Sequence, residues 1–437
     1  MILSKSKSRN IIERALSFST ADEMRINLGG GRSGNTRFAL NSITTSGDED
    51  TLSIQVRAYF GKQHATASGT EISDEALKRV VQTAEDAARF VPEDPEYVPE
   101  LGPQKYLPIK PYFRSTAAAS AKQRVNGAQS SLQPALESNL LSAGFFTNRH
   151  GFSAVGNSNK LFGYYRATNA SFSVTTRTQD GTGSGWGSDS SRNIDQVDYQ
   201  SASKRALQKA QGSSQSKTLE PGIYPVIMEP QAVADFIRFG SYAMNARSAD
   251  EGRSFFSKAG GGNKIGEQVA GDNITLRSDP THPQLLGGPF GGDGLPAKKN
   301  TWIKDGVLQQ LYYDRYWAKK QGIEATGYPS NIIIEGEQGT LDELISNTDR
   351  AVLVTRFWYI RFVDPQSLLL TGLTRDGTFW VENGRIQHAI KNFRFNESPM
   401  AVLNKVTGMS TPVRIGGSMV PAIRASEFNF ASLSDAV

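Results

Sequence analysis

The sequence predicts an α+β protein: an amino-terminal domain of mixed sheet and helix, then a mainly antiparallel β domain with long hairpins, closed or partly closed like a barrel. Three observations carry this. Asp305-Gly306 and Asn383-Gly384 each stand between runs of strand-forming residues that include aromatics. Such pairs suit a two-residue type I′ turn, because both positions need positive φ. Leu52–Phe60 alternates, with Leu52, Ile54, Val56 and Ala58 facing one way and Ser53, Gln55 and Arg57 the other, the pattern of a sheet with one wet face. The chain, at 437 residues, is too long for one ordinary core. Polar Gly212–Pro221 offers a boundary, so the expected domains are residues 1–216 and 217–437.

The elements follow in order. Ser8–Phe18 reads as an amphipathic helix with Ile11, Ile12, Ala15 and Leu16 on one stripe. Strands are expected at Glu23–Leu28, Thr36–Ile43 and Leu52–Phe60, separated by Gly29-Gly30-Gly31 and Ser46-Gly47-Asp48. Ser73 is placed to cap a helix whose stripe is Leu77, Val80, Val81, Ala84 and Ala88, with Asp74 and Glu75 at the positive end of its dipole. Val91–Pro111 carries six prolines and is expected to be irregular. A helix at Ala117–Leu136, strands within Leu140–Asp189 and a closing helix at Ile194–Gln211 complete the first half.

In the second half Gly222–Met228 reads as a strand and Pro230 as the first residue of a helix running to about Asn245. The stretch Gly287–Gly322 opens with five glycines in the eight residues Gly287–Gly294. A hairpin of Lys299–Lys304 and Val307–Tyr313 follows, then a cationic segment, Arg315–Lys320, that Gly322 is placed to stop. Ala351–Phe362 reads as a strand and Gly377–Ile390 as a second hairpin.

Composition bounds the chemistry. The chain is 38% hydrophobic and 21% charged, its mean hydropathy is -0.41, and no apolar run approaches the roughly 20 residues of a membrane helix. The net charge of +5 is dispersed and does not single out nucleic acid. The amino-terminal residues carry no signal-peptide pattern, and a cytoplasmic location is expected. Cysteine is absent, which removes disulfides, thiolate nucleophiles and thiolate metal ligands together. The four histidines, His64, His150, His282 and His388, include no pair three or four apart that one helix could present to a metal.

Gly181–Gly187 lacks the Lys-Ser/Thr of a phosphate loop and is expected to be a hairpin tip. Ser184 within it has no helix behind it to make a nucleophile elbow. Asp48-Glu49-Asp50 and Asp250-Glu251 are expected to be solvated loop acids. Asp293, flanked by glycines that let a ligand approach, is the acid of most interest, although ordering its own turn is the simpler role.

Gly287–Pro296, Ile303–Leu308, Tyr313–Gly322, Thr326-Gly327 and Thr371–Ile386, in this order and spacing, resemble the TldD/PmbA family over roughly Gly222–Pro421. The resemblance implies a two-protein metalloprotease in which one partner is catalytic and the other lacks the metal site. The catalytic type carries His-Glu-x-x-x-His on the helix before the glycine-rich region, plus a cysteine ligand near the carboxyl end. Here that helix is Val233–Asn245, without histidine, and Val413–Pro421 has no cysteine. The chain therefore resembles the PmbA (TldE) type, with no catalytic or metal-ligating residues of its own and zinc expected only in a catalytic partner. Asp293, Arg315 and Tyr316 are the candidate cleft or partner-contact residues.

The leading function is a non-catalytic subunit that shapes a peptide channel for a TldD-like homologue, or for a second copy of itself. A metal-independent hydrolase using Asp293 and a regulatory module of the gyrase-modulator type are the alternatives, with nucleic-acid contact not expected.

Overall fold

The computed structural model describes residues 2–329 and 331–434. Its first half is a six-stranded antiparallel sheet in the order β3-β2-β1-β4-β5-β6, formed by β1 (Glu23–Ala39), β2 (Ser42–Phe60), β3 (Gln63–Gly69), β4 (Leu140–Asn157), β5 (Phe162–Thr178) and β6 (Ser184–Ser191). Helices α1 (Lys5–Ser17) and α2 (Asp74–Phe90) bury Ile11, Ile12, Leu77 and Val81 against Ile26, Ile54 and Val56. Ser73 caps α2, its Oγ accepting from the Ala76 amide at 3.3 Å. Helices α3 (Arg114–Ala117), α4 (Ala121–Glu137) and α5 (Tyr199–Gly212) follow, α4 and α5 closing over Phe146 and Phe172.

The second half is organised around a closed ring. Strands β7 (Gly222–Met228), β12 (Arg350–Asp364), β13 (Leu369–Glu382), β15 (Asn392–Glu397) and β19 (Ile423–Ser434) pair in the circuit β12-β7-β19-β15-β13 and back to β12, a five-stranded barrel. Helix α6 (Pro230–Ala243) seats Phe236 against this ring, its ring centroid 5.5, 5.7 and 5.8 Å from those of Phe357, Phe395 and Phe428. A second sheet, β10-β9-β8-β11-β18-β17, comprises β8 (Leu276–Ser278), β9 (Asn300–Lys304), β10 (Val307–Leu308), β11 (Ile332–Ile334), β17 (Val413–Ile415) and β18 (Ser418–Val420). The remaining elements are α7 (Ala246–Asp250), α8 (Arg315–Gln321), α9 (Leu341–Ser346), α10 (Pro399–Leu403), β14 (Arg385–Ala389) on β13, and β16 (Val406–Met409) on β19.

Both Asx-Gly turns form with positive φ: 48° and 77° at Asp305-Gly306, 51° and 72° at Asn383-Gly384. Gly306 is required twice over, since a Cβ there would also lie 2.3 Å from the backbone oxygen of Ala270.

Several expectations are corrected. Gly29–Gly31 and Ser46–Asp48 lie inside β1 and β2, because β1 is paired along both edges and the ladder overrides weak local propensity. Asp48-Glu49-Asp50 is accordingly strand and not loop, and the predicted strand Thr36–Ile43 contains the hairpin turn, at Leu40 and Asn41. Ser120, accepting from the Gln123 amide, restarts the helix after α3, so Ala117–Leu136 is not continuous. Ile194–Gln196 is a 3₁₀ turn separated from α5. Ser184–Gly187 begins β6, with the hairpin tip before it. The strand expected at Val307–Tyr313 stops at Leu308, and Tyr312 pairs instead with the end of α6, its amide donating to Met244 O at 2.7 Å.

Phe357 is 2% exposed and stacks on Phe428. Phe357→Ala is expected to cost roughly 3–5 kcal/mol, read by denaturant unfolding.

Candidate functional site: a groove between the first sheet and the glycine loop

The loop Gly287–Gly294 is a compact wedge. Phe290 bridges to Pro296, the Gly291 amide donates to Leu295 O at 2.9 Å, and the Leu295 amide donates to Asp293 Oδ1 at 3.0 Å. The wedge drives Phe290 into the first half, its centroid 4.9 Å from the Tyr106 ring and 5.2 Å, edge-on, from Tyr165. Gly163 leaves the room, because a Cβ there would lie 2.7 Å from Phe290 Cε1.

The proline-rich stretch is irregular, as expected, and it acts as a strap. Buried Glu100 fixes it to the first sheet through Arg25, at 2.9 Å, and the Tyr59 hydroxyl, at 2.6 Å. Towards the second half, Tyr106 donates its hydroxyl to Gly294 O at 3.0 Å, Glu96 pairs with Arg247 at 2.7 Å, and Pro99 O accepts from Arg315.

This places the predicted site residues. Asp293 orders the wedge and faces two phenols. Tyr106 is pushed up to about 12 by burial and then by the Asp293 carboxylate. Tyr312 is raised by burial, then by Asp314 and Asp293. Arg315 anchors the strap at the start of α8, and Tyr316 beside it packs on the core under the Arg247 guanidinium. No hydrogen bond, ion pair or ring contact joins Asp293 to Arg315 or Tyr316, so the three do not form one cluster.

Beside the wedge, a groove of about 680 Å³ runs along the first sheet. Its lining includes side-chain-free surface at Gly29 and Gly30, the amide of Asn169, and the cations Arg149 and Arg192. Tyr165 lines it as well, and the Arg192 Nε donates to Leu286 O at 3.0 Å, so the groove reaches the base of the wedge. The glycines leave room on the sheet face, and the amide and guanidiniums supply hydrogen-bond donors there. Sequence spacing gives no signal for Tyr106, Tyr165, Arg149 or Arg192, which are brought together only by strand register and by the strap.

A zinc site of the family's catalytic type does not fit these residues. Helix α6 offers Asp235, Arg238 and Tyr242, and the carboxyl-terminal hairpin β17–β18 offers Arg414, engaged with Asp189 at 3.0 Å. His64 binds Asp94 at 2.8 Å. His150, His282 and His388 are each lowered below the ordinary histidine value, first by desolvation and then by a neighbouring cation. Among the described residues no group of three or more His, Cys, Asp or Glu side chains gathers as a metal site. Ser184 is buried and donates to Asp376 Oδ1 at 2.5 Å, with no imidazole beside it. Asp250 is not a free loop acid: it ends α7 and accepts from Asn263 and from the Trp317 indole, both at 2.6 Å.

Models of the PmbA/TldA metallopeptidase domain 1, central domain and C-terminal domain match residues 26–88, 113–213 and 221–432. The chain belongs to the PmbA/TldD family. It is 25% identical to the metalloprotease PmbA of Escherichia coli O157:H7, over 87% of each chain. It is 23% identical to a metalloprotease PmbA homolog of Haemophilus influenzae, over 77% of this chain and 76% of that one. The fold matches that of TldE from Thermococcus kodakarensis with a TM-score of 0.85 at 21% identity, covering 97% and 99% of the two chains. A Thermotoga maritima protein named for modulation of a DNA gyrase matches at 0.86 and 18%, with the same coverage. The stretch Gly287–Pro296, within the matched C-terminal domain, is the wedge.

Phe290→Ala is expected to cost about 2 kcal/mol by removing the aromatic seat, with faster amide exchange over residues 287–297. Asp293→Ala, which loses one turn hydrogen bond, should cost about 1 kcal/mol or less.

Asp235 is pushed up to about 6, first by desolvation, against the attraction of Arg356. A carboxyl raised on folding adds stability below its unfolded value and loses it as pH rises through the folded one. Relative to Asp235→Asn, the protein should lose on the order of 2 kcal/mol between about pH 4 and pH 6, measured by urea unfolding at each pH.

Proposed function

We propose that this chain is a PmbA/TldE-like, non-catalytic subunit of a TldD/TldE-type metalloprotease that processes or degrades peptides. The observation that carries the reading is a contrast within the chain. The wedge, the strap and a groove beside them are present, while the helix and the carboxyl-terminal hairpin that the family resemblance marks as sources of zinc ligands hold Asp235, Arg238, Tyr242 and Arg414. None of these supplies the imidazole or thiolate of such a centre.

In this reading the groove receives an extended peptide whose main chain is held by polar side chains of the groove wall, among them Asn169, Arg149 and Arg192, a mode that tolerates varied sequence. A TldD-like partner would hold the zinc, which would supply Lewis-acid chemistry at the scissile carbonyl, and this chain orients the peptide. Assembly with that homologue, or with a second copy, and a cytoplasmic location belong to the same proposal. No helix among the described residues is long and apolar enough to cross a membrane.

Metal analysis and peptidase assays on the chain alone, on a histidine-bearing homologue, and on the mixture test this. The expected result is zinc only where the homologue is present, and activity raised at least about tenfold by adding this chain, equivalent to about 1.4 kcal/mol in the barrier. Zinc-dependent peptidase activity of the chain alone would sink the proposal. In the active mixture Arg149→Ala should raise KM for a peptide with little change in kcat, the pattern of lost uniform binding.

A further inference from the structure

A second cleft, of about 540 Å³, lies at the junction of the two halves. It is bounded by the β1–β2 turn at Leu40, by β5 at Arg177, and by β12 and β13 at Arg356, Trp358 and Arg375. Its chemistry comes from a break in register. Arg356 is paired across the ladder with Arg375, while Val354 is paired with Thr378, so Asp376-Gly377 bulges from β13 opposite Thr355. Like charges directly opposite one another are destabilising in a sheet, and bulges often re-aim side chains beside functional sites.

One buried carboxylate serves both guanidiniums. Asp376 Oδ2 is 3.5 Å from Arg356 and 3.9 Å from Arg375, and its Oδ1 is already occupied by Ser184. Arg356 is held between indoles, 4.3 Å from the Trp186 centroid and 5.1 Å from that of Trp358, and its buried Nε has no hydrogen-bond partner. Among the described residues, the charged groups that act on Arg356 are Asp376 and Arg375 from β13 and Asp235 and Arg238 from α6, so three guanidiniums meet two carboxylates. Beside this cationic end, Leu40 and Trp358 are 74% and 45% exposed and make the wall apolar.

We infer that this cleft binds a carboxylate carrying a short apolar body, the carboxylate bridging Arg356 and Arg375 and the body lying on Trp358 and Leu40. Planar guanidiniums match a carboxylate in paired hydrogen bonds. A free aliphatic acid and the carboxyl terminus of a peptide share this chemistry. The inference does not depend on the peptidase reading.

Calorimetric titration of the full chain with hexanoate, hexanamide, inorganic phosphate, and the tripeptide Gly-Ala-Leu in acid and amide forms tests it. Saturable binding of hexanoate or of the tripeptide acid is expected, with neither amide binding and with Kd weakened about tenfold or more in Arg375→Gln. The tighter of the two acids identifies the source. Trp358→Ala, at an exposed position, should weaken the same ligand, and bound ligand should change the indole fluorescence of the unaltered chain. The inference is overturned by absence of saturable binding, equal binding of the amides, phosphate binding as tight as the acids, or unchanged affinity in both variants.

Discussion

The seating of Phe290 between Tyr106 and Tyr165 is the contact on which the arrangement of the two halves turns. An aromatic pair contributes energy beyond its buried area only at particular centroid distances. The wedge must therefore approach β5 closely, and Gly163 makes the approach possible. The strap is drawn into the same assembly, because Tyr106 both stacks on Phe290 and donates to Gly294 O. Glu100 secures the other end, with Arg25 and Tyr59 compensating a carboxylate that is 5% exposed. Such a charge is tolerated in the interior only when it is paired and hydrogen-bonded.

From this follows the division of labour in the second half. The barrel and α6 supply rigidity through aromatic packing around Phe236, while the glycine loop spends its residues on reach and contact. The region that resembles a ligand cradle in sequence is thus a wedge between the two halves, and the open groove lies next to it on the first sheet. The groove owes its shape to strand register and to the wedge.

Much of this was legible from residues. The helix capped by Ser73, the two Asx-Gly turns, the left-handed stop at Gly322 and the alternation in Leu52–Phe60 all formed, since each rests on local sterics or on a short period. The illegible parts depend on partners distant in sequence. Gly29–Gly31 resembled a separator until both neighbouring strands were in place. Arg315 looked like part of a basic patch, yet it holds Pro99 across the strap, and Ser184 looked like a tip residue but closes a buried seam with Asp376.

By itself the sequence determined the fold class, the family, and the absence of the side chains that a His-Glu-x-x-x-His and cysteine zinc centre needs. These are matters of residue type, periodicity and order, which folding does not alter. Only the tertiary structure decided that the barrel closes, that the prolines form a strap, and that Arg356 and Arg375 share one carboxylate. Each of these is a pairing between segments far apart in the chain, fixed by strand register and by which side chains leave room for others to enter.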